Sequence, residues 1–384
     1  MHRKTFLQKA GLVLISVLLS LFIAELVLRM VFKPQLLYYV WQPYLHHVFH
    51  PDSSFMPGVN GAKEFSINAS GVRGDGFEKG KPNTLFIGGS TTECLYLDNS
   101  ETWWHLWAQE RRRSNPADEN FGSVGKSGCT SIENYLQLKY IVPQLKYVNR
   151  VVLMIGINDL MVYLSHDCKN ATTLNKAVED SLVNTIFLKK GRDIETGWWR
   201  RTALFYVLRN FYEGLTPKGI SWQHVQDDNG AAYNTWRRYR HNADHLIDTL
   251  PDITSALGFY RTNLELICAE AKRQHLQLVF ITQPCIYRDT ANASIDSLLW
   301  MGGIGDFQAG KARVYYTQRV LGEALALYNK ETIAFCNENH VQCIDAASVL
   351  PKDTSVFYDD CHFNESGARK LANYLSSVQL QPAQ

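Results

Sequence analysis

No Cys-x-x-Cys pair occurs among the eight cysteines of this 384-residue chain, at positions 94, 129, 168, 268, 285, 336, 343 and 361. That spacing marks zinc ribbons and thioredoxin-like redox centres, so both lose their sequence basis. An excess of either charge is missing too. The 39 basic residues face 37 acidic ones, which leaves no electrostatic case for a nucleic-acid partner. There is no fixed-period repeat and no low-complexity tract. His46, His47 and His50 cluster, but no cysteine or paired-carboxylate motif accompanies them. His241 and His245, four apart, lack the glutamate that zinc metalloproteases place between such a pair. The first three read as interfacial or loop histidines and the second two as an exposed helix face. No metal and no cofactor is expected. What remains is an ordinary globular profile, 46% hydrophobic, with room for one large or two modest domains.

The first segment departs from that profile. Arg3, Lys4 and Lys9 precede an uncharged run from Ala10 to Ala24, which continues apolar to Phe32 apart from Glu25 and Arg29. The uncharged part alone is short of the roughly 20 residues a bilayer span needs. Glu25 and Arg29 are one helical turn apart and can pair, and the arginine can reach outward to the membrane edge. A cleaved signal peptide has the same basic start, but no small-x-small cleavage site follows the run. Residues 1–32 therefore read as an uncleaved single-pass anchor, with the basic end in the cytoplasm and the remainder periplasmic or extracellular.

Residues 33–83 read as a juxtamembrane collar. Pro34, Pro43, Pro51, Pro57 and Pro82 and many glycines make turns dominant there. From residue 84 apolar, strand-like runs alternate with helical patterns. Strands are expected at about 84–88, 120–124, 150–155, 277–282 and 341–345, and helices near 101–113, 130–147, 255–274, 312–339 and 364–376. Such alternation predicts a parallel sheet with helices on both faces. Trp103, Trp104 and Trp107, at helical spacing, belong to its core. Between about 163 and 251 the alternation stops. That insertion carries Lys189-Lys-Gly-Arg192, Trp198-Trp-Arg-Arg201 and Trp236-Arg-Arg-Tyr-Arg240. Interleaved Trp and Arg suit sugar stacking, a lipid headgroup layer, or snorkelling side chains on a helical lid or subdomain.

Four short blocks carry the chemistry. After the apolar run Thr84–Ile87, Gly88 and Gly89 permit a sharp turn into Ser90. The others are Ser127-Gly128-Cys-Thr-Ser131, Gly156-Ile-Asn158-Asp159 and Tyr358-Asp359-Asp-Cys-His362-Phe-Asn364. Each alone fits a turn, a cap or a surface loop. Ser90, Gly128 and Asn158 follow the first three strands, so all can reach one edge of the sheet. A serine hydroxyl becomes a nucleophile when a histidine takes its proton, and a carboxylate must hold that histidine in the right tautomer. His362 is the candidate base; Asp359 and Asp360 are the candidate carboxylates. Cys94, Cys129 and Cys361 neighbour these blocks and should cluster near them. Cys336 and Cys343 are the pair most local in sequence.

Taken in order, the four blocks resemble the SGNH (GDSL-like) hydrolase family, over about residues 52–374. The resemblance implies a three-layer α/β/α, flavodoxin-like fold over residues 84–384, without cofactor. It implies Ser90 as nucleophile, His362 as base and Asp359, from the family's Asp-x-x-His spacing, as its orienter. The oxyanion hole falls to Ser90, Gly128 and Asn158. The family's Gly-Asp-Ser is Gly88-Gly89-Ser90 here, which bears on subfamily and substrate. Ile67-Asn-Ala-Ser-Gly-Val-Arg-Gly74 resembles a turn of membrane-anchored bacterial members, with a packing role. The α/β-hydrolase elbow Gly-x-Ser-x-Gly does not fit, because Thr92 takes its last position. The expected function is a membrane-tethered, extracytoplasmic serine esterase hydrolysing or transferring acyl groups. Its substrate is an acylated carbohydrate or lipid, with O-acylated envelope or exported glycans first. The alternative is a catalytically idle glycan-binding component of a polysaccharide assembly system.

Overall fold

A computed structural model describes residues 2–32, 36–114, 119–168, 174–191, 194–216, 227–290 and 292–380, with the backbone alone at 2–7, 114 and 214. Pro34 of the collar and Arg192 of the insertion lie outside the described residues. The chain forms two compact units. One joins Met1–Tyr39 to Leu188–Lys218, and the other joins Val40–Phe187 to Gly219–Gln384.

The larger unit is built on a six-stranded sheet. Its strands are β1 (Arg73–Gly74), β2 (Asn83–Gly88), β3 (Asn120–Ser123), β4 (Arg150–Met154), β5 (Gln277–Ile281) and β6 (Gln342–Ile344). They lie side by side in the order β6-β5-β4-β2-β3-β1. Five strands are parallel and fall where the apolar runs predict them; β1 pairs antiparallel with β3, so the sheet is mixed. A two-residue strand has no periodicity to read, and for that reason it escapes a sequence analysis. Every residue of β2 and β4 is buried, as expected of central parallel strands covered on both faces. Trp103, Trp104 and Trp107, all fully buried, pack on Phe86 from the helix Trp103–Ser114.

Chain order and spatial order diverge at β2. From there the chain steps to β3 on one side and later returns to β4 on the other. The carboxyl ends of β2, β3 and β4 thus open on one crevice, the place where open α/β sheets bind ligands.

Several local expectations need correction. The helix expected over 312–339 runs from Gln318 to Asn339; Val314–Tyr316 before it is a strand paired parallel with His245–Ile247. His245 therefore sits on that strand while His241 ends the helix Ala231–His241, so the two share no helix face. The helix expected over 130–147 stops at Tyr140, ahead of a short 3₁₀ turn containing Pro143. His46 and His47 lie in a strand, His46–Phe49, paired with Lys63–Ser66 rather than in a loop. His47 Nε2 and His50 Nδ1 bracket the Asp228 carboxylate at 2.9 and 3.1 Å. Arg237 and Arg240 do not snorkel. Their buried guanidinium groups donate to the carbonyls of Phe55, Leu298 and Tyr358, and of Met301 and Tyr316.

In the smaller unit the helix His2–Val31 contains the segment Gln8–Val31, of mean hydropathy 2.6, long and apolar enough to cross a membrane. The strands Leu37–Tyr39 and Leu188–Lys190 pair antiparallel, and a second helix, Ala203–Leu215, packs on the first. The Trp198–Arg201 run belongs to this unit.

Candidate active site

Ser90 opens a four-residue helix directly after β2. The turn ahead of it is closely packed. A Cβ at Gly88 would strike Thr92 Oγ1, and one at Gly89 would strike Asn158 Nδ2. The turn is held from outside: Trp103 Nε1 donates to Thr91 O at 2.9 Å and Trp104 Nε1 to Thr92 O at 3.1 Å. Arg73, whose expected role was packing, buries its guanidinium beneath the end of this helix. It donates to the carbonyls of Glu93, Cys94 and Leu97 at 2.6, 3.0 and 2.6 Å. Burial depresses its pKa to about 10, a value that still leaves it charged at neutral pH.

The other edge of the crevice is pinned to the same helix. Glu93, itself buried, accepts a hydrogen bond from the Ser127 hydroxyl. Gly125 lets the strand-end backbone approach, since a Cβ there would stand 2.5 Å from Glu93 N. Gly128 then takes a left-handed φ of +80°. The Asn158 side chain donates to Cys129 O at 2.8 Å, which employs one of its two amide hydrogens. Asp159 caps the helix Ser131–Tyr140 by accepting from Ser131 N and, at 2.5 Å, from Ser131 Oγ. Burial lifts its pKa to about 7. Among the described residues the Ser90 and Gly128 N–H groups donate to no acceptor.

Asp359 and His362 come from the loop between β6 and the helix Glu365–Ser377. Tyr358 N donates to His362 O at 3.1 Å and closes the loop. Within it Asp359 Oδ1 accepts from the backbone N–H groups of Cys361 and His362 at 3.0 and 2.8 Å. That Asp-centred turn brings the residue three positions on back to its own carboxylate. Asn364 caps the following helix at Gly367 N. His362 Nδ1 lies 2.6 Å from Asp359 Oδ2, and His362 Nε2 lies 2.7 Å from Ser90 Oγ. With Nδ1–H donating to the Asp359 carboxylate, Nε2 accepts from the serine hydroxyl.

Asp359 is fully buried, which by itself would raise its pKa, yet the facing imidazole and the donors around it hold it below its ordinary value. One donor is Trp300, whose Nε1 meets Oδ2 at 2.9 Å. Burial pulls His362 down, but Asp359 first, with the charges of Asp360 and Glu93, makes the net shift upward. Asp360 faces elsewhere, accepting from Tyr287 Oη and Trp300 N at 2.9 Å each. Burial, then the neighbouring Asp359 charge, push it up to about 6.

One group of metal-ligand types stands close together here, Asp359, Cys361 and His362. Four donors already occupy the Asp359 oxygens, and burial raises the Cys361 thiol well above its usual range. The set is arranged for hydrogen bonding rather than for a cation. All eight cysteines are free thiols, including Cys94, Cys129 and Cys361 in the segments that build the crevice.

The crevice holds a cavity of about 280 Å³ in which Ser90, His362, Gly128 and Asn158 meet Tyr233, Trp236, Trp300 and Phe307. Of the residues singled out in the sequence it brings together all five proposed site residues, counting Asp359 behind the histidine. Trp198 to Arg201, considered for a lid, belong to the smaller unit. Trp300 and Tyr233 had no sequence signal: each lies outside every motif, and its place follows from contacts with Asp359 and Tyr358.

A flanked sheet with a serine, a histidine and an aspartate at the carboxyl ends of its strands is the layout of an acyl hydrolase. The model of the GDSL-like lipase/acylhydrolase family matches residues 86–370, most of the chain, and the chain belongs to that family. No curated protein matches the chain. Similar solved structures include the acetyl xylan esterase AlAXEase, 12% identical with a TM-score of 0.38, covering 77% of this chain and 98% of that one. Another is Axe2, an acetylxylan esterase from Geobacillus stearothermophilus, 13% identical with a TM-score of 0.40, covering 79% and 96%. At that distance neither likeness bears on substrate. Family membership supports carboxylic ester hydrolysis.

Proposed function

We propose that this protein is a membrane-tethered serine esterase, facing out of the cytoplasm, that acts on O-acylated envelope or exported glycans through Ser90, His362 and Asp359. The observation that carries the reading is the relay from Asp359 through His362 to Ser90 Oγ, opening into an aromatic-walled cavity beside two unbonded N–H groups. In the reaction Ser90 Oγ attacks the ester carbonyl as His362 Nε2 takes its proton, and the carbonyl π electrons move to oxygen. The N–H groups of Ser90 and Gly128 and the free amide hydrogen of Asn158 receive that oxyanion. Collapse expels the alkoxide, which takes the proton from His362, and leaves an acyl ester on Ser90. A water, or a second sugar hydroxyl, gives its proton to His362 and releases the acyl group by the same steps.

Asn158→Ala is expected to lower ester turnover by about 10²–10³-fold with little change in KM, the usual effect of losing one oxyanion donor. Steady-state kinetics check this; an unchanged turnover would remove Asn158 from the hole.

The cavity supports the substrate class. The rings of Trp236 and Trp300, with centroids 4.6 Å apart, and Phe307 beyond them form a wall suited to sugar C–H faces. A volume of about 280 Å³ accommodates a short acyl group with part of a sugar. The test is a series of esters of increasing acyl length given to the full chain in detergent. Highest kcat/KM is expected for acetyl; a preference for long acyl chains would contradict the substrate reading.

Residues 1–32 act as the anchor in this reading, 33–83 as a collar and 84–384 as the catalytic region. With Arg3, Lys4 and Lys9 retained on the cytoplasmic side, a reporter fused after residue 384 should be active only outside the cytoplasm. A C-terminal reporter active in the cytoplasm would overturn the location. Residues 1–9 found in the mature membrane-bound protein would separate an anchor from a signal peptide.

A further inference from the structure

Glu25 is out of place in an apolar helix, and its partners explain it. One carboxylate oxygen accepts from Arg29 Nε at 2.6 Å and from Ala203 N at 2.8 Å; the other accepts from Leu204 N at 2.8 Å. Ala203 and Leu204 are the first two residues of the helix Ala203–Leu215, and the Thr202 hydroxyl accepts from Phe205 N at the next position. A helix start has unpaired N–H groups, and in hydrocarbon there is no water to satisfy them. Here the glutamate of the apolar helix caps the second helix, whose positive end in turn neutralises the glutamate.

The rest of that second helix divides by face. Leu208, Phe211, Tyr212 and Leu215, at i, i+3, i+4 and i+7, form one stripe, with 57 to 67% of each residue exposed. Arg209 and Glu213 lie off the stripe and are locked into ion pairs, Glu213 with Arg209 and Lys190 at 2.8 and 2.5 Å, and Arg209 also with Glu195. Trp198 and Trp199 stand exposed just before the helix, with Arg200 over the Trp199 ring at 4.9 Å. Trp, Arg and a one-sided apolar stripe are the parts of a helix lying in a membrane interface.

Position along the first helix agrees. Glu25 is six residues from Val31, about 9 Å at 1.5 Å per residue, so the cap lies about that far below the helix end. Interfacial helices sit about 5–10 Å into the headgroup and acyl boundary. A 13-residue helix is about 20 Å long and too short to span the roughly 30 Å core.

We infer that Ala203–Leu215, with Trp198 and Trp199, is a second membrane-embedded element, seated in the outer leaflet by the Glu25 cap. The stripe's occupant is lipid acyl chain, because the helix that bears it packs on one whose own exposed apolar surface lies in lipid when it serves as the anchor. The inference rests on the proposed anchoring role of the first helix, and the test separates the two. The full chain, reconstituted in vesicles of phosphatidylethanolamine and phosphatidylglycerol, carries a benzophenone amino acid in turn at Leu18, Phe211 or Val349, the last an exposed control in the larger unit. Lipid adducts are read by mass. Adducts at Leu18 and Phe211 several-fold above Val349 are expected, and Glu25→Ala should cut the Phe211 adduct several-fold while sparing Leu18. Labelling at Leu18 with Phe211 at the Val349 level overturns the inference and leaves the anchor intact. Labelling at neither overturns both. A Phe211 adduct indifferent to Glu25→Ala would show that the cap does not seat the helix.

Discussion

Ser90→Ala is expected to lower ester turnover by about 10⁴–10⁶-fold, leaving substrate binding and the fold nearly unchanged. The size follows from what the hydroxyl does. It is the one nucleophile the relay activates, and it is hydrogen-bonded to His362 Nε2 at 2.7 Å. Without it the oxyanion donors and His362 remain and can assist water only weakly. The fold should be indifferent because the turn is held by other atoms: the Trp103 and Trp104 indoles on the Thr91 and Thr92 carbonyls, and Arg73 on the carbonyls beyond. Ser90 is also part-exposed, so the lost oxygen leaves no closed cavity. Stability should stay within about 0.5 kcal/mol of wild type. Kinetics beside thermal denaturation check both halves. Retention of a tenth of the activity would remove Ser90 from the chemistry.

Asp359→Asn is expected to cost about 10⁴-fold in kcat near neutral pH, and to move the pH profile as well. An amide in place of the carboxylate favours the wrong imidazole tautomer, with the proton on the nitrogen that should accept from Ser90. The pH effect has a definite sign. His362 works as a base only when neutral, so activity falls as pH drops through its pKa. In the folded protein Asp359 favours the imidazolium and the net shift is upward, so the wild-type limb should lie above the reference of about 6.5. Removing the negative charge should carry the limb to lower pH in whatever activity remains. A variant with wild-type kcat, or with its limb at higher pH, would contradict the assigned partnership. Asp360→Asn should move the limb the same way but by less, since that carboxylate bonds Tyr287 and the Trp300 backbone and raises the imidazole only through its charge.

The parts of the fold legible in the sequence are those specified locally. Central strands announce themselves as short apolar runs because both faces of β2 and β4 are buried. The nucleophile turn announces itself through Gly88 and Gly89, whose Cβ atoms would collide with Thr92 and Asn158. The Asp359–His362 spacing is legible because the carboxylate builds its own turn from backbone N–H groups. What escapes the sequence is decided at long range. Val314–Tyr316 looks like the start of a helix until His245–Ile247 supplies a partner strand. Arg237 and Arg240 look like solvated cations until carbonyls from distant segments surround them. Trp300 reaches Asp359 from 59 residues away, and nothing near it in the chain marks the contact. Glu25 has an evident helical partner in Arg29, while the helix it caps begins 178 residues later.

The central claim is that Ser90 is an activated nucleophile facing preformed oxyanion donors. The most direct measurement treats the folded, full-length protein with a fluorophosphonate probe and locates the adduct by peptide mass. A phosphonyl oxygen occupies the hole as a carbonyl oxygen would, so labelling requires the base and the donors as well as an exposed hydroxyl. The predicted result is a single adduct on Ser90, absent from Ser90→Ala and nearly absent from His362→Ala. A folded protein that takes no label, or takes it at another residue with equal yield in Ser90→Ala, would contradict the account.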